Sequence, residues 1–288
     1  MREKFVGILG VPFDYGIELV GGRPGARFAP LKVKKEFFKL IKNKKFLKNI
    51  RIIDYGNILP INKTVKKTHE RITVAVRKII ADGGIPVVIG GSHDNSFGST
   101  KPIAQVYKRV GGVNIDAHYD VRPVVNGRIN SGTPFRRLLD EKIIIGKNFV
   151  ELGVHSPRNV PEHQQYLIGK QSTLLKLAYI NDIGIKKAMI RALKIAAQNT
   201  NAIVFDIDID GIQKRFAPGC SAPCIKGFTK RQALKAAFIA GKDKRVKLFN
   251  LMEVSPPYDV NNKTVILAAE LIFNFILGLS KRGNNNGL

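Results

Sequence analysis

The stretch GVNIDAHYD (112–120) decides how the rest of the chain is interpreted. Its first half is an apolar β-like run, and its second half places Asp116, His118 and Asp120 at every second position. In an extended segment such residues point to one side. Three groups of this kind repel one another or lose hydration at high cost unless a cation lies between them. A lone buried or capping Asp is common, but this spacing after a buried strand predicts a metal site.

Short apolar runs alternate with longer helical stretches along the whole chain. We predict strands at 5–9, 50–54, 85–90, 112–116, 149–154, 202–208 and 246–254. We predict helices at about 31–47, 64–82, 99–109, 159–168, 186–199, 230–241 and 263–280. The strands are rich in Val, Ile and Leu, as in parallel sheets covered on both faces. Because no linker, charge block or repeat divides the sequence, we predict one α/β domain over 1–288, a parallel sheet with helices on both faces.

The composition favours a globular protein with a strongly basic surface. The chain has 288 residues, 44% of them hydrophobic, and a formal net charge of +26. Such a charge attracts nucleic acids and anionic membranes without specificity, and it steers anionic substrates. Much of it lies in 32–48, where Lys recurs on what we interpret as a solvated helix face. Since no nucleic-acid-binding motif accompanies the charge, we expect no specific nucleic-acid partner.

Membrane insertion and secretion are not indicated either. The apolar run 264–279 is shorter than the roughly 20 residues of a membrane span and contains Glu270 and Asn274. It predicts a buried or amphipathic terminal helix and no membrane partner. The two cysteines, Cys220 and Cys224, argue against a disulfide framework, and we interpret them as small buried residues rather than as a redox or metal pair. Without a recognisable secretory signal, we expect a cytoplasmic, reducing environment.

Four polar clusters follow predicted strands. They are GGSHDNS (90–96), DAHYD (116–120), DIDID (206–210) and EVSPP (253–257). Ligands of parallel α/β sheets bind beyond the carboxyl ends of the strands, so the clusters converge on one edge. Carboxylates with some imidazole suit manganese better than zinc, and their number exceeds the four ligands of one tetrahedral zinc. A pair of metal ions fits this count, since such pairs share carboxylates and activate water.

In this order, and together with SGTPFR (131–136) and GVPFDYGIELVGGRPGARFAP (10–30), the clusters resemble the ureohydrolase family of arginase and agmatinase. The resemblance extends from about residue 7 to 259. It implies an arginase-like fold with a parallel sheet of about eight strands and a centre of two Mn²⁺ ions per subunit. It further implies hydrolysis of a C–N bond at an amidine or guanidine carbon, and homo-oligomers of three or six subunits.

The resemblance also assigns the metal ligands by position. It implies one ion held by His93, Asp116, Asp120 and Asp208, and a second held by Asp116, His118, Asp208 and Asp210. In DIDID, the family's interval to the later Ala-Pro-Gly (217–219) selects the second and third Asp. Asp206 is then either a supporting group or a satisfied acid of the core. The family further implies that Asp120 passes a proton to the leaving nitrogen and that Glu253 lies near the amidine group.

Departures from arginase and agmatinase narrow the predicted substrate. Ser131 stands before Gly132 where those enzymes usually have a histidine, so an expected proton shuttle is missing. DVRP (120–123), NSGTPFR (130–136) and APGCSAP (217–223) resemble the formimidoylglutamase branch, which implies hydrolysis of N-formimidoyl-L-glutamate to L-glutamate and formamide. The alternatives are a guanidine hydrolase of the agmatinase or arginase type, which releases urea, and a catalytically silent binding protein.

A substrate with two carboxylates requires cationic partners. Arg122 and Arg136 are the candidates, because guanidinium binds carboxylate in a bidentate manner, although either could be a surface ion pair. Ser131 is a further candidate for substrate binding. In GVHSPRN (153–159), His155 is a candidate for proton transfer in place of the missing histidine. Weaker substrate-binding candidates in the same segment are Arg158 and Asn159.

Overall fold

The structure is a computed structural model that describes residues 5–42 and 50–282. Its strands are β1 Phe5–Gly10, β2 Arg51–Asn57, β3 Gly84–Ile89, β4 Val110–Ile115, β5 Phe149–Leu152, β6 Thr173–Leu175, β7 Ala202–Asp208 and β8 Val246–Met252. Its α-helices are α1 Tyr15–Glu18, α2 Ala29–Ile41, α3 Val65–Ala81, α4 Asn95–Tyr107, α5 Pro134–Asp140, α6 Pro161–Gly169, α7 Leu177–Ile183, α8 Ile185–Ala196, α9 Lys230–Lys242 and α10 Lys263–Leu279. The end of the predicted helix 31–47 falls outside the described residues.

The eight strands form one sheet in the order β2-β1-β3-β8-β7-β4-β5-β6, and all neighbours are parallel. The predicted fold class is therefore confirmed, while the assignment of 1–288 to one domain stays a prediction. All seven predicted strands are present. The sequence pattern missed β6, which has only three residues, and the short helices α1, α5 and α7. Runs this short carry too little periodicity to be recognised.

Helices cover both faces of the sheet, which explains why its central strands are apolar throughout. On one face α2, α8, α9 and α10 contribute buried side chains such as Phe37 and Phe275. On the other face α3, α4 and α5 contribute Ile72, Phe97 and Phe135. Of the helices formed by residues 5–42 and 50–282, none combines the length and apolar character needed to cross a membrane.

The four central strands place the predicted site. β3, β8, β7 and β4 are consecutive neighbours in the sheet, and the polar clusters follow their carboxyl ends. Two of the cluster residues have left-handed backbone conformations that side chains rarely adopt, with φ of 45° at Asp120 and 67° at Glu253. Such conformations persist only where the surrounding structure holds them, and they concentrate at functional sites.

A candidate metal centre and its cavity

The segment 116–120 is a turn, so the extended conformation predicted for it is wrong. β4 ends at Ile115, and the next carboxylate folds back, with Asp116 Oδ1 accepting a hydrogen bond of 2.7 Å from the His118 N–H. The backbone then turns again at Asp120. The three side chains still converge, because two successive turns aim them at the neighbouring strand ends. Alternating spacing indicated the cluster, but turn geometry brings it together.

One ligand group gathers around His93, which lies in the segment between β3 and α4. The group consists of His93, Asp116, Asp120 and Asp208, whose ligand atoms all lie within 4.8 Å of one another. The Nδ1 atom of His93 lies 2.9 Å from Asp120 Oδ2, 3.1 Å from Asp208 Oδ2 and 3.3 Å from Asp116 Oδ2. These four residues are those that the resemblance assigned to the first ion.

A second group adjoins the first and shares Asp116 with it. It consists of Asp116, His118 and Asp210. The Nδ1 atom of His118 lies 3.1 Å from Asp210 Oδ2 and 3.5 Å from Asp116 Oδ1. The resemblance placed Asp208 here too. The other oxygen of Asp208, Oδ1, instead accepts a hydrogen bond from the Asp210 N–H at 2.8 Å, which caps the short 3₁₀ turn after β7.

The crowded carboxylates perturb one another strongly. Burial raises the pKa of Asp208 well above its usual value, and the charges of Asp210 and Asp116 raise it further. Burial and the charge of Asp116 raise the pKa of Asp120 to about 6. Burial opposes ionisation of Asp116 as well, but contacts with His118 and His93 outweigh it and hold its pKa well below the usual range. The site therefore requires positive charge, supplied by protons or by cations.

The chemistry of the two groups fits manganese. Both ring nitrogens of His93 are buried without a hydrogen-bond partner among the described residues, although carboxylate oxygens surround Nδ1. An imidazole lone pair among carboxylate oxygens is the donor set of a borderline-hard divalent ion. Cys220 and Cys224 have free thiols and belong to neither group. Two adjoining groups with a common carboxylate provide for two ions.

A cavity of about 800 Å³ opens from the two groups to the surface. Its floor includes His118, Asp120, Asp208, Asp210 and Glu253. Glu253 is buried, and its Oε1 accepts a hydrogen bond of 2.8 Å from the His93 N–H, which links the end of β8 to that of β3. Burial, and next the charge of Asp208, raise the pKa of the Glu253 carboxyl well above its usual value.

The mouth of the cavity is cationic. Arg122, Arg158 and Lys226 line it, and all three are exposed. Within residues 5–42 and 50–282 no carboxylate forms an ion pair with any of them. Ser131 also lines the cavity, and its N–H donates to the Gly16 carbonyl at 3.1 Å. The mouth therefore offers unpaired positive charge to a ligand that reaches the metal groups.

Other predicted substrate-binding residues do not line the cavity. Arg136 donates from Nε to Asp140 Oδ2 at 2.7 Å and stacks on the Tyr166 ring, so its charge is already paired. Asn159 donates to the carbonyl of Ala117 at 3.0 Å and braces the loop behind the site. Periodicity could not show this, since the direction of Arg136 depends on α5, a helix that the sequence pattern missed.

His155 lines the cavity, but its ring is occupied. Nδ1 contacts the Gly153 carbonyl and Nε2 lies 2.9 Å from the Lys226 carbonyl. Because both nitrogens face backbone carbonyls, the lone pair of a neutral His155 ring is directed at a carbonyl oxygen and not at a substrate. Sequence reasoning missed Lys226, a single Lys in a basic chain, which only the fold brings to the mouth.

These observations define a class of protein: a parallel α/β fold with a carboxylate–imidazole centre for two divalent ions at the carboxyl edge of its sheet. Residues 4–278 match the family described as the Arginase family, and the chain belongs to that family. The predicted resemblance is thereby confirmed.

Individual relatives are similar over nearly the whole of this chain. The chain is 30% identical over 281 residues to the mitochondrial guanidino acid hydrolase of Homo sapiens, covering 95% of this chain and 78% of that protein. The structure of Trypanosoma cruzi formiminoglutamase with Mn²⁺ superimposes with a TM-score of 0.89 at 30% identity, covering 98% of this chain and 96% of that one. For formimidoylglutamase of Bacillus subtilis subsp. subtilis str. 168 the TM-score is 0.90 at 25% identity, covering 98% and 89%.

Proposed function

We propose that this protein is a binuclear manganese hydrolase that converts N-formimidoyl-L-glutamate and water to L-glutamate and formamide. Water adds to the amidine carbon, and the bond from that carbon to the glutamate nitrogen breaks. Membership of the Arginase family and the likeness to formimidoylglutamases support a metal-dependent amidino hydrolase. The choice of an anionic substrate rests on the cavity.

The observation that carries this choice is the unpaired positive charge at the mouth. A dicarboxylate whose amidine reaches the metal groups would place its carboxylates near Arg122, Arg158 and Lys226. Guanidinium and carboxylate form strong bidentate hydrogen bonds. Agmatine would instead place its own positive charge near these three cationic residues, and like charges repel.

Two manganese ions fit the described groups. His93, Asp116, Asp120 and Asp208 would hold one, and Asp116, His118 and Asp210 the other. Ions bound there would lower the pKa of water and would stabilise negative charge that develops at the amidine carbon.

Side chains of this protein would then bind the substrate and transfer its protons. Asp120 lines the cavity, so it is placed to accept a proton and deliver it to the leaving glutamate nitrogen. Glu253 is fixed by the His93 N–H at one oxygen, which leaves the other to accept from an amidine N–H. Arg122, beside Ser131 and Gly132, would bind the carboxylates at the outer end.

A substrate panel tests the proposal. Protein prepared with Mn²⁺ is assayed with N-formimidoyl-L-glutamate, arginine, agmatine and a guanidino acid, and both urea and formamide are measured. We expect formamide and glutamate in equal amounts. Urea from a guanidine substrate as the main product would overturn the assignment in favour of a guanidine hydrolase. Bound manganese with no turnover of any substrate would favour the silent binding protein.

We also propose a homo-oligomer of three or six subunits in the cytoplasm. The free thiols of Cys220 and Cys224 agree with a reducing compartment. Light scattering coupled to size-exclusion chromatography would measure the subunit number, and a monomer at micromolar concentration would contradict the proposed oligomer.

A further inference from the structure

A row of buried polar side chains crosses the sheet just below the metal groups. Register pairs join Glu151 on β5 to Asn114 on β4, Asn114 to Asp206 on β7, and Asp206 to Asn250 on β8. All four side chains are 0–1% exposed. Their strand neighbours belong to the apolar core of the opposite face, so the four lie on the face that α3, α4 and α5 cover. Two carboxyls and two amides at the centre of a sheet are costly unless each has a partner.

Only some of the side-chain polar atoms in this row have hydrogen-bond partners. Asn114 donates from Nδ2 to Glu151 Oε1 at 2.8 Å, and Asn250 donates from Nδ2 to Asp206 Oδ2 at 2.8 Å. Ser99 of α4 donates to Asn250 Oδ1 at 2.9 Å and fixes that amide. Oδ1 of Asp206 is left without a partner among the described residues.

The unpaired oxygen of Asp206 faces the unpaired nitrogen of His93. Asp206 Oδ1 lies 3.4 Å from His93 Nε2, and both atoms are buried. The other ring nitrogen, Nδ1, faces the carboxylates of the first metal group. A neutral imidazole has one N–H and one lone pair, and the partner of one nitrogen decides which of the two is free to bind a metal.

We propose that Asp206 is a positioning residue that accepts a hydrogen bond from the His93 Nε2–H and so keeps the Nδ1 lone pair available to the metal. Asn250 and Ser99 hold the Asp206 carboxylate in place for this contact. The inference deepens the proposed function, on which it rests for the identity of the ligand. Carboxylates that orient a metal-bound histidine change metal affinity by about 10- to 100-fold when they are replaced.

The effect is expected at one ion only. His93 belongs to the first ligand group, and the second group contains His118 and Asp210 instead. Asp206 contacts neither of these two residues. A group that acts through the His93 ring must therefore lose its influence when that ring is replaced.

Variants that keep only one of the two ligand groups test this inference without substrate. Mn²⁺ affinity is measured by electron paramagnetic resonance titration of His118→Asn, in which the first group remains, and of His93→Asn, in which the second remains. We expect Asp206→Asn to weaken Mn²⁺ binding about 10- to 100-fold in the first background and less than about threefold in the second. The amide lacks the negative charge, and its amino group would face another donor at His93 or at Asn250.

Glu151→Gln is the matched control, since it makes the same isosteric change in the same row, where the hydrogen-bond partner is Asn114 and not His93. Equal weakening in both backgrounds, equal weakening by the control, or no weakening would each overturn the inference. If Asp206→Asn does not fold, Asn250→Ala replaces it, because it leaves the carboxylate but removes its donor; the same selective loss is expected. The experiment measures metal binding and not hydrolysis. A wild-type protein without hydrolase activity would therefore refute the proposed function, while the effect of Asp206→Asn on Mn²⁺ affinity could still be interpreted.

Discussion

Arg122 is the residue whose replacement most directly measures how the substrate is recognised. Its guanidinium lies at the cavity mouth without an acidic partner in the described parts of the chain. Hydrogen bonds to charged groups contribute about 1.5–3 kcal/mol, and the lower end applies because Arg122 is exposed. Since about 1.4 kcal/mol corresponds to a factor of ten, we expect Arg122→Ala to lower kcat/KM for N-formimidoyl-L-glutamate by about tenfold.

The loss should fall on KM more than on kcat, because the carboxylates take no part in the bond changes at the amidine carbon and are bound equally in the ground state and the transition state. Steady-state kinetics at low and at high salt measure it, and added salt should narrow the gap between the variant and the wild type.

Arg136→Ala is the control for the same residue type. Its guanidinium is paired with Asp140 and stacked on Tyr166, so kcat/KM should change less than about threefold. A tenfold loss in Arg136→Ala with little change in Arg122→Ala would refute the account of the mouth and restore the role that sequence alone suggested for Arg136.

Three further predictions concern acid–base chemistry, backbone packing and stability. His155→Gln should lower kcat less than about fivefold in steady-state assays, because both ring nitrogens face carbonyls; a drop of a thousandfold would make it the proton carrier. Gly91→Ala should sharply reduce bound manganese, measured by elemental analysis, because its Cβ would clash with the Phe13 carbonyl and displace the loop of His93; unchanged content would contradict this. Burial acts to raise the pKa of Asp243, but hydrogen bonds from Arg245 outweigh it and hold that pKa below its usual value of 3.8. The resulting stabilisation is complete above the unfolded-state pKa and is lost as the pH falls through the lowered pKa of the folded state. Asp243→Asn should therefore lower the melting temperature by about 1–3 °C at pH 7, and the difference should shrink as the pH falls below 3.8; an equal loss at every pH would refute the pairing.

Much of the fold could be predicted because buried parallel strands are apolar on both faces. Each of the seven long runs forms a strand in the sheet, and the long helices lie between them. β6 and the shorter helices were missed, since three to seven residues do not establish a period. The order of the strands does not follow from local pattern at all, yet it decides that the ends of β3, β8, β7 and β4 meet.

A metal site was predictable because carboxylates and imidazoles that cluster at buried strand ends are too costly to keep without a cation. The division of the ligands into two groups came from the resemblance to the ureohydrolase family. The geometry of DAHYD was not predictable, since the turn at Asp120 depends on a left-handed backbone that no residue pattern signals. The sequence indicated only one member of the buried polar row. Asp206 stood out beside two other acids, but Asn114, Glu151 and Asn250 are single polar residues in apolar runs, and only the register aligns them.

The central claim is that two adjoining groups of carboxylates and imidazoles hold two cations. Anomalous diffraction at the manganese edge, from crystals grown with Mn²⁺, tests it most directly. We expect two peaks about 3.5–4 Å apart, one beside His93 and one beside His118, with Asp116 between them. One peak, or none among these oxygens, would contradict the claim.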